Sequence, residues 1–437
     1  MQAQQDLTLY NMPAIQQSMY ANPSQMPQSK INIGLPVLSS IYLNLGNSGF
    51  KATDLIKSGP GDSNHLDVNN MLSKLGTNNN LNISAQIDLF SFGLRLGKNY
   101  FSFSVIEKAD VYFTYPKNFL QWVWEGNGAF LGQNTSFNFG LNALHYREYG
   151  VGYARELTDK LTIGGKLKYL YGMEDIWAEN SDVTFNTASS DYGYTTSDNV
   201  DINTSGFGPG TTGFHPNEIL TPNYLLNRNN TGMAADIGAT YKFNDKITFS
   251  ASLIDLGYIN WRSYTSNYTS SGAFNFDGVD ITKFTSGDTN SLQNLEDSAK
   301  NAFHAGTSHQ SYTTMLPAQV YLDANYKLSQ RANAGLLLYG QFVNSILVPA
   351  AAASYNFKLS DWFSVSATYA YMNRDATNVG IGFAITGPVQ FYLVSDNVVG
   401  FFLPQSSKTV NVRMGINLCF GRKSEKAASD SSKASFQ

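Results

Sequence analysis

This chain of 437 residues is poor in charge, with Asp, Glu, Lys and Arg making up 14% against roughly 25% in ordinary soluble domains. It holds one cysteine, Cys419, so no internal disulfide is available. No run approaches the roughly 18 uninterrupted apolar residues of a membrane helix, and mean hydropathy is -0.23, which excludes a helical membrane protein. A net charge of -4 argues against a nucleic-acid partner, which requires a basic patch. No phosphate-binding glycine motif or calcium loop stands out. The first residues, Met-Gln-Ala-Gln-Gln, carry no charged-then-apolar leader, so an export signal is expected to have been trimmed or left out of this numbering.

Aromatics are abundant, 14% with 26 Tyr and 28 Phe. Low charge and many aromatics suit a wall that meets lipid, and the way left to span a bilayer is a closed barrel, because hydrocarbon offers no partner to an unpaired peptide group. The stretch Thr409 to Phe420 alternates strictly: Val410, Val412, Met414, Ile416, Leu418 and Phe420 share one face, opposite Asn411, Arg413, Gly415, Asn417 and Cys419. Its spacing of Arg413, Gly415, Leu418 and Phe420 resembles the terminal signal read by the outer-membrane assembly machinery.

Upstream, period-two stretches predict strands over 31–45, 81–96, 101–114, 137–155, 161–171, 233–243, 247–261, 318–328, 332–343, 347–358, 362–372, 378–386 and 388–396. With the closing strand this makes about 14. Within 81–96 the apolar face changes sides after Leu89, which predicts a bulge. Every second link is short, as at 97–99, 157–160, 244–246 and 328–331, and the longest, 46–80, 115–136, 176–230 and 265–315, fall in the alternate set. Bacterial barrels keep short turns in the periplasm, so both termini are expected there. The fold class is therefore all-β: a transmembrane antiparallel barrel over 31–420, with an N-terminal plug segment over 1–30, long outer loops carrying short helices, and a flexible periplasmic tail over 421–437.

Chemistry is sparse. Of the five histidines only His145 lies in a predicted strand, on a face with Phe139 and Leu141, so a girdle position is expected and catalysis is not. No metal or cofactor is implied. Lys166, Lys168, Asp236, Asp255 and Asp323, with Lys242 and Lys327, carry both signs and are expected to fill the lumen as ion pairs. Asp255 falls where its strand changes phase. The runs 66–75 and 117–126 read as short helices; in the second, Leu120, Trp122, Val123 and Trp124 form an apolar cluster suited to roofing the barrel, entering the membrane interface or receiving a partner, and packing over the mouth is the expectation. Asp297-Ser298-Ala299 resembles an O-glycosylation acceptor.

Asn22-Pro23, a turn signal, is similar to an element in the plugs of FadL-like barrels and of the PorV and PorP/SprF barrels of type IX secretion. Together with Tyr146-Arg147-Glu148-Tyr149-Gly150, Leu253-Ile254-Asp255-Leu256-Gly257, Tyr371-Met372-Asn373-Arg374, Gly387-Pro388-Val389-Gln390 and the closing strand, the chain resembles an uncharacterised outer-membrane barrel family of Bacteroidota related to those barrels. The resemblance implies 14 strands and carries no site onto particular residues. Two functions follow as expectations. The first is a non-enzymatic scaffold, held in outer-membrane lipid and binding envelope partners, lipoproteins or secretion components, through long loops. The alternative is a FadL-like passive channel for hydrophobic small molecules.

Overall fold

The computed structural model describes residues 6–58, 64–189, 194–206, 229–276, 298, 301–343, 346–372 and 374–421. Fourteen antiparallel strands close into a barrel. They are β1 (Ile31–Gly34 and Ile41–Asn47), β2 (Asn78–Leu96), β3 (Asn99–Pro116), β4 (Gly140–Glu156), β5 (Leu161–Thr187), β6 (Thr231–Lys242), β7 (Ile247–Trp261), β8 (Gln319–Lys327), β9 (Ala332–Val343), β10 (Ile346–Ser360), β11 (Phe363–Met372), β12 (Asp375–Ile385), β13 (Val389–Ser395) and β14 (Thr409–Phe420). Each pairs with its sequence neighbour, and the ring closes where Ile31 faces Phe420 and Ile41 faces Met414. Closure leaves the wall no free edge.

Side-chain alternation sets the two faces. Phe101, Phe103, Val151, Tyr153, Leu167, Tyr169, Met233, Leu322, Leu338 and Tyr369 all point outward and are exposed. Their partners in phase, such as Ser104, Lys108, Glu148, Lys166 and Asp323, point inward and are buried. No helix among the described residues is long and apolar enough to cross a membrane. An apolar outside around a polar inside is the pattern of a bilayer-spanning barrel. The bulge in β2 lies between Asp88 and Phe90, so the apolar set stays outside although its sequence phase reverses.

Two expectations need correction. The first strand is broken: between the pairs Gly34–Asn417 and Ile41–Met414, six residues, 35–40, stand opposite two, 415–416. Val37 there takes φ 66, a left-handed conformation unfavourable for a β-branched residue. The stretches 176–230 and 265–315 are not plain loops either. β5 runs on to Thr187, Tyr194–Ser205 pairs with it, and Thr265–Phe276 pairs with Tyr194–Ser205, the sheet being flanked by Asn134–Asn138 on β5 and by Gly306–Ser308 on Thr265–Phe276. These Ser-, Thr- and Asn-rich strands are solvated on much of both faces, so no apolar alternation betrays them.

The turns at one end are uniformly short: 97–98, 157–160, 243–246, 328–331, 361–362 and 386–388. The far end carries every long connection, although β9–β10 and β11–β12 are tight there too.

Candidate functional site

Residues 6–30 run through the lumen and touch the wall on several sides. The turn Asn22-Pro23-Ser24 shows how close they come. Asn22 Oδ1 accepts from the Ser24 backbone N–H at 3.0 Å and from its hydroxyl at 2.7 Å, Asn22 Nδ2 donates to the Tyr10 hydroxyl at 3.0 Å, and Ser24 Oγ lies 2.8 Å from Thr240 Oγ1. A Cβ on Gly164 of the wall would lie 2.3 Å from the Pro23 carbonyl oxygen, so only glycine admits this approach. Tyr10 stacks on Tyr321 with centroids 5.1 Å apart. Thr8 donates its backbone N–H to Asp396, just beyond β13, at 2.7 Å.

Two polar latches fasten this segment. Arg413 donates from Nε to Asp6 Oδ1 at 2.8 Å and from Nη2 to Asp6 Oδ2 at 3.1 Å, lies over the Tyr42 ring, and is fully buried. The bidentate geometry makes this the strong form of such a pair. The second latch is Asp88: its Oδ2 accepts from the Tyr20 hydroxyl at 2.6 Å and, at longer range, from Ser39 Oγ at 3.4 Å. Asp88 also holds the broken stretch of β1 by its backbone, accepting from Val37 N–H at 2.8 Å and donating to the Ser40 carbonyl at 2.9 Å. Segment, bulge and wall therefore meet at one residue. Opposite, Gly415 admits the Ser39 carbonyl, which would lie 2.0 Å from a Cβ there. Of the terminal-signal residues, Arg413 and Gly415 thus face inward into these contacts, while Leu418 and Phe420 face outward.

Beside the segment, with Lys166 over the Tyr20 ring, sits a wall-to-wall ion cluster. Lys168 Nζ lies 2.7 Å from Asp236 and 2.6 Å from Asp255; Lys166 lies 2.6 Å from Glu148; Lys108 lies 3.1 Å from Glu148 and 3.2 Å from Asp255. Three lysines face three carboxylates, and all are buried. Asp255, at φ 59, sits where the β6–β7 register shifts, and the strained backbone aims its carboxylate at both Lys108 and Lys168. The gap beside the cluster is about 10 Å3, about the ~10–15 Å3 needed for one water. Four of the five expected lumen residues meet here; Asp323 does not. It faces Ser250, whose hydroxyl donates to it at 3.4 Å, beside Tyr10. Lys108 and Glu148 were missed by sequence reasoning, although the inward phase of 101–114 and of 137–155 contained them.

At the short-turn end the segment stops short of the mouth. A vestibule of about 900 Å3 opens below Asn11-Met12-Pro13-Ala14, rimmed by Lys160, Lys246, Arg331 and Lys358. Lys242 and Lys327, expected with the lumen charges, stand on this rim instead.

On the outside, His145 points outward as its phase requires and lies between two carboxylates, Nε2 2.7 Å from Glu107 and Nδ1 bonded to Glu174; Arg147 Nε donates to Glu107 at 2.6 Å. The helix Lys117–Glu125 does not roof the mouth. Leu120 joins a cluster with Leu81, Phe113 and Tyr115, outward positions of β2 and β3, and Trp122 packs on Phe137 and Phe185 at 5.9 and 5.1 Å. Val123 and Trp124 remain 61% and 55% exposed. The four-residue cluster thus splits into a packed half and a free half. Among the described residues no group of His, Cys, Asp and Glu is arranged to hold a metal ion. Asp297 and Ala299 of the glycosylation tripeptide lie outside the described residues.

The model of a family of unknown function (DUF5723) matches residues 23–396. No curated protein matches the chain. Among solved structures the chain is similar to the Pseudomonas putida toluene transporter TodX, at 10% identity and TM-score 0.41, covering 92% of this chain and 91% of that one. It is also similar to a Pseudomonas aeruginosa FadL homologue, at 10% and 0.40 over 93% and 94%, and to the translocator domain of the autotransporter NalP from Neisseria meningitidis, at 8% and 0.33 over 94% and 95%.

Proposed function

We propose that this chain, which belongs to the DUF5723 family, is an outer-membrane barrel with both termini periplasmic, acting as a plugged passive channel for small hydrophobic molecules. Residues 6–30 are the plug and 31–420 the barrel; 1–5 of the expected plug and 422–437 of the expected tail lie outside the described residues. The observation that carries the reading is Asp88, which binds the plug through Tyr20 and the broken part of β1 through its backbone. Displacing the plug removes the shortest donor to Asp88, Tyr20, leaves it the longer Ser39 contact, and loosens 35–40, where Val37 and Leu38 already face outward. An apolar solute then passes sideways into lipid rather than through the charged lumen, whose ion cluster opposes it. The test is entry of a small apolar fluorophore into proteoliposomes. Flux above protein-free vesicles, raised when Tyr20→Phe weakens the latch, supports the channel; flux indistinguishable from empty vesicles removes it.

A second reading is favoured by the sheet built on 175–187, 194–205 and 265–276 beyond the barrel, together with exposed Val123 and Trp124. It is a scaffold that receives envelope partners, lipoproteins or type IX secretion components, as the PorV-like resemblance implies. Stoichiometric companions after gentle extraction from native membranes favour it over a lone barrel.

A further inference from the structure

The turns around the vestibule break a rule of sheet chemistry three times in succession, setting two cations opposite each other on neighbouring strands. The Lys242 backbone N–H donates to the Lys160 carbonyl at 2.8 Å, that of Lys327 to the Lys246 carbonyl at 2.7 Å, and that of Lys358 to the Arg331 carbonyl at 2.8 Å. Like charges directly opposite one another on paired strands are destabilising. The arc from β5 to β10 therefore carries a local conflict that the fold itself does not require, as functional sites do.

The arc from β2 to β5 shows the ordinary arrangement. There Arg95 lies 2.5 Å from Glu156, and Lys98 lies 3.1 Å from Asp159. On the cationic arc Lys358 has Asp361 at 3.6 Å, but among the described residues none of Lys160, Lys242, Lys246, Lys327 and Arg331 makes an ion pair. All five are exposed and line the vestibule, where Asp245 is the one carboxylate left to face them. Acids outnumber bases over the whole chain, 33 to 29, so this surplus is local.

A cleft lined by charge of one sign focuses its field and draws the opposite charge. The end of the chain offers no match, because residues 422–437 hold Arg422, Lys423, Lys426 and Lys433 against Glu425 and Asp430. The couples recur every second strand, so at ~4.8 Å between strands they stand roughly 10 Å apart, a gap spanned by about three residues of extended chain. The vestibule holds about 900 Å3 and ends on the plug at Pro13, which is exposed, and Ala14, which is half-buried. A single extended peptide enters a recess of that size, whereas a sheet of anionic glycan stays at its rim.

We infer that the vestibule is the docking site for an acidic peptide: an extended segment of a periplasmic partner, its carboxylates three residues apart and set against the couples Lys160/Lys242, Lys246/Lys327 and Arg331/Lys358. It rests on the orientation in the reading above, which turns this end to the periplasm, and it deepens that reading, because a segment seated there touches the plug at Pro13 and Ala14.

The experiment is fluorescence anisotropy of a labelled Glu-Ser-Ser-Glu-Ser-Ser-Glu peptide with the full chain in non-ionic detergent. The parent is expected to bind it, more weakly as salt rises, and to ignore the same peptide with Gln in place of Glu. Lys242→Gln/Lys327→Gln/Arg331→Gln takes one cation from each couple and is expected to bind about tenfold less tightly. It is also expected to resist denaturation at least as well as the parent, because like-charge contacts are removed. Lys98→Gln, on the matched arc, is expected to bind as the parent does. No binding by the parent, equal binding by the triple variant, or a triple variant less stable than the parent overturns the inference, as does binding of oligogalacturonate in preference to the peptide. The binding itself is independent of orientation. Labelling of Arg331→Cys/Cys419→Ser by an impermeant thiol reagent on intact cells contradicts the orientation alone, so the two failures are distinguishable.

Discussion

Two buried charge assemblies share the lumen and differ in what they join. The cluster of Lys108, Lys166, Lys168, Glu148, Asp236 and Asp255 ties β3, β4, β5, β6 and β7 to one another. The Asp6–Arg413 pair ties the N-terminal segment to β14. When a strand-to-strand cluster loses a member, the remaining charges have nowhere to go, because the strands are held by their ladders. On the channel reading, the segment's latch can open, because Asp6 belongs to a segment outside the strand ladders. On that reading the same chemistry thus makes a fixed wall in one place and a releasable fastening in the other.

That contrast is open to direct attack. The largest effect is expected from Glu148→Gln, which leaves three buried lysines facing two carboxylates. Breaking a buried pair costs roughly 3–5 kcal/mol, to be read as loss of barrel stability in denaturant titrations in lipid. Asp6→Asn removes the counter-charge of Arg413. Solute flux is expected to rise while barrel stability falls by less than the Glu148 variant; an equal fall means the latch is part of the wall. Tyr20→Phe removes the shortest of the donors to Asp88 and leaves the longer contacts from Ser39 and Gln17, a loss of about 1 kcal/mol for one hydrogen bond. Faster hydrogen exchange is expected at 35–40, with β6 and β7 unchanged. The smallest effect is reserved for Val123→Ser and Trp124→Ser, on the free half of the helix, with stability within about 0.5 kcal/mol of the parent. A larger loss means that half is packed after all.

How much of this was legible beforehand differs by element. The bulge at Asp88 was written in the switch of apolar phase between Leu89 and Phe90, because the outside of a barrel tolerates only one kind of side chain. The number of strands followed from the same alternation. The strands over 194–205 and 265–276 carried no such signal, since their faces are not sorted by polarity. The break in β1 was hidden for another reason: 31–45 reads as one strand through Pro36, and only pairing with β2 and β14 shows that 35–40 do not fit the ladder. Lys166, Lys168, Asp236 and Asp255 could be placed inward by phase. Their partners Lys108 and Glu148, and the pairing of Asp6 with Arg413 across 407 residues, depend on closure of the ring. Trp122 and Trp124 looked alike in sequence and part company because one side of their short helix meets Phe137 and Phe185.

The central claim is that the N-terminal segment must leave its seat for solute to pass. Gln17 Nε2 donates to Asn417 Oδ1 at 3.1 Å, so cysteines at these two positions, with Cys419→Ser, permit a short cleavable thiol linker between segment and wall. Flux of the small apolar fluorophore is expected to cease with the linker in place and to return when it is cut. Undiminished flux through the linked protein would contradict the account.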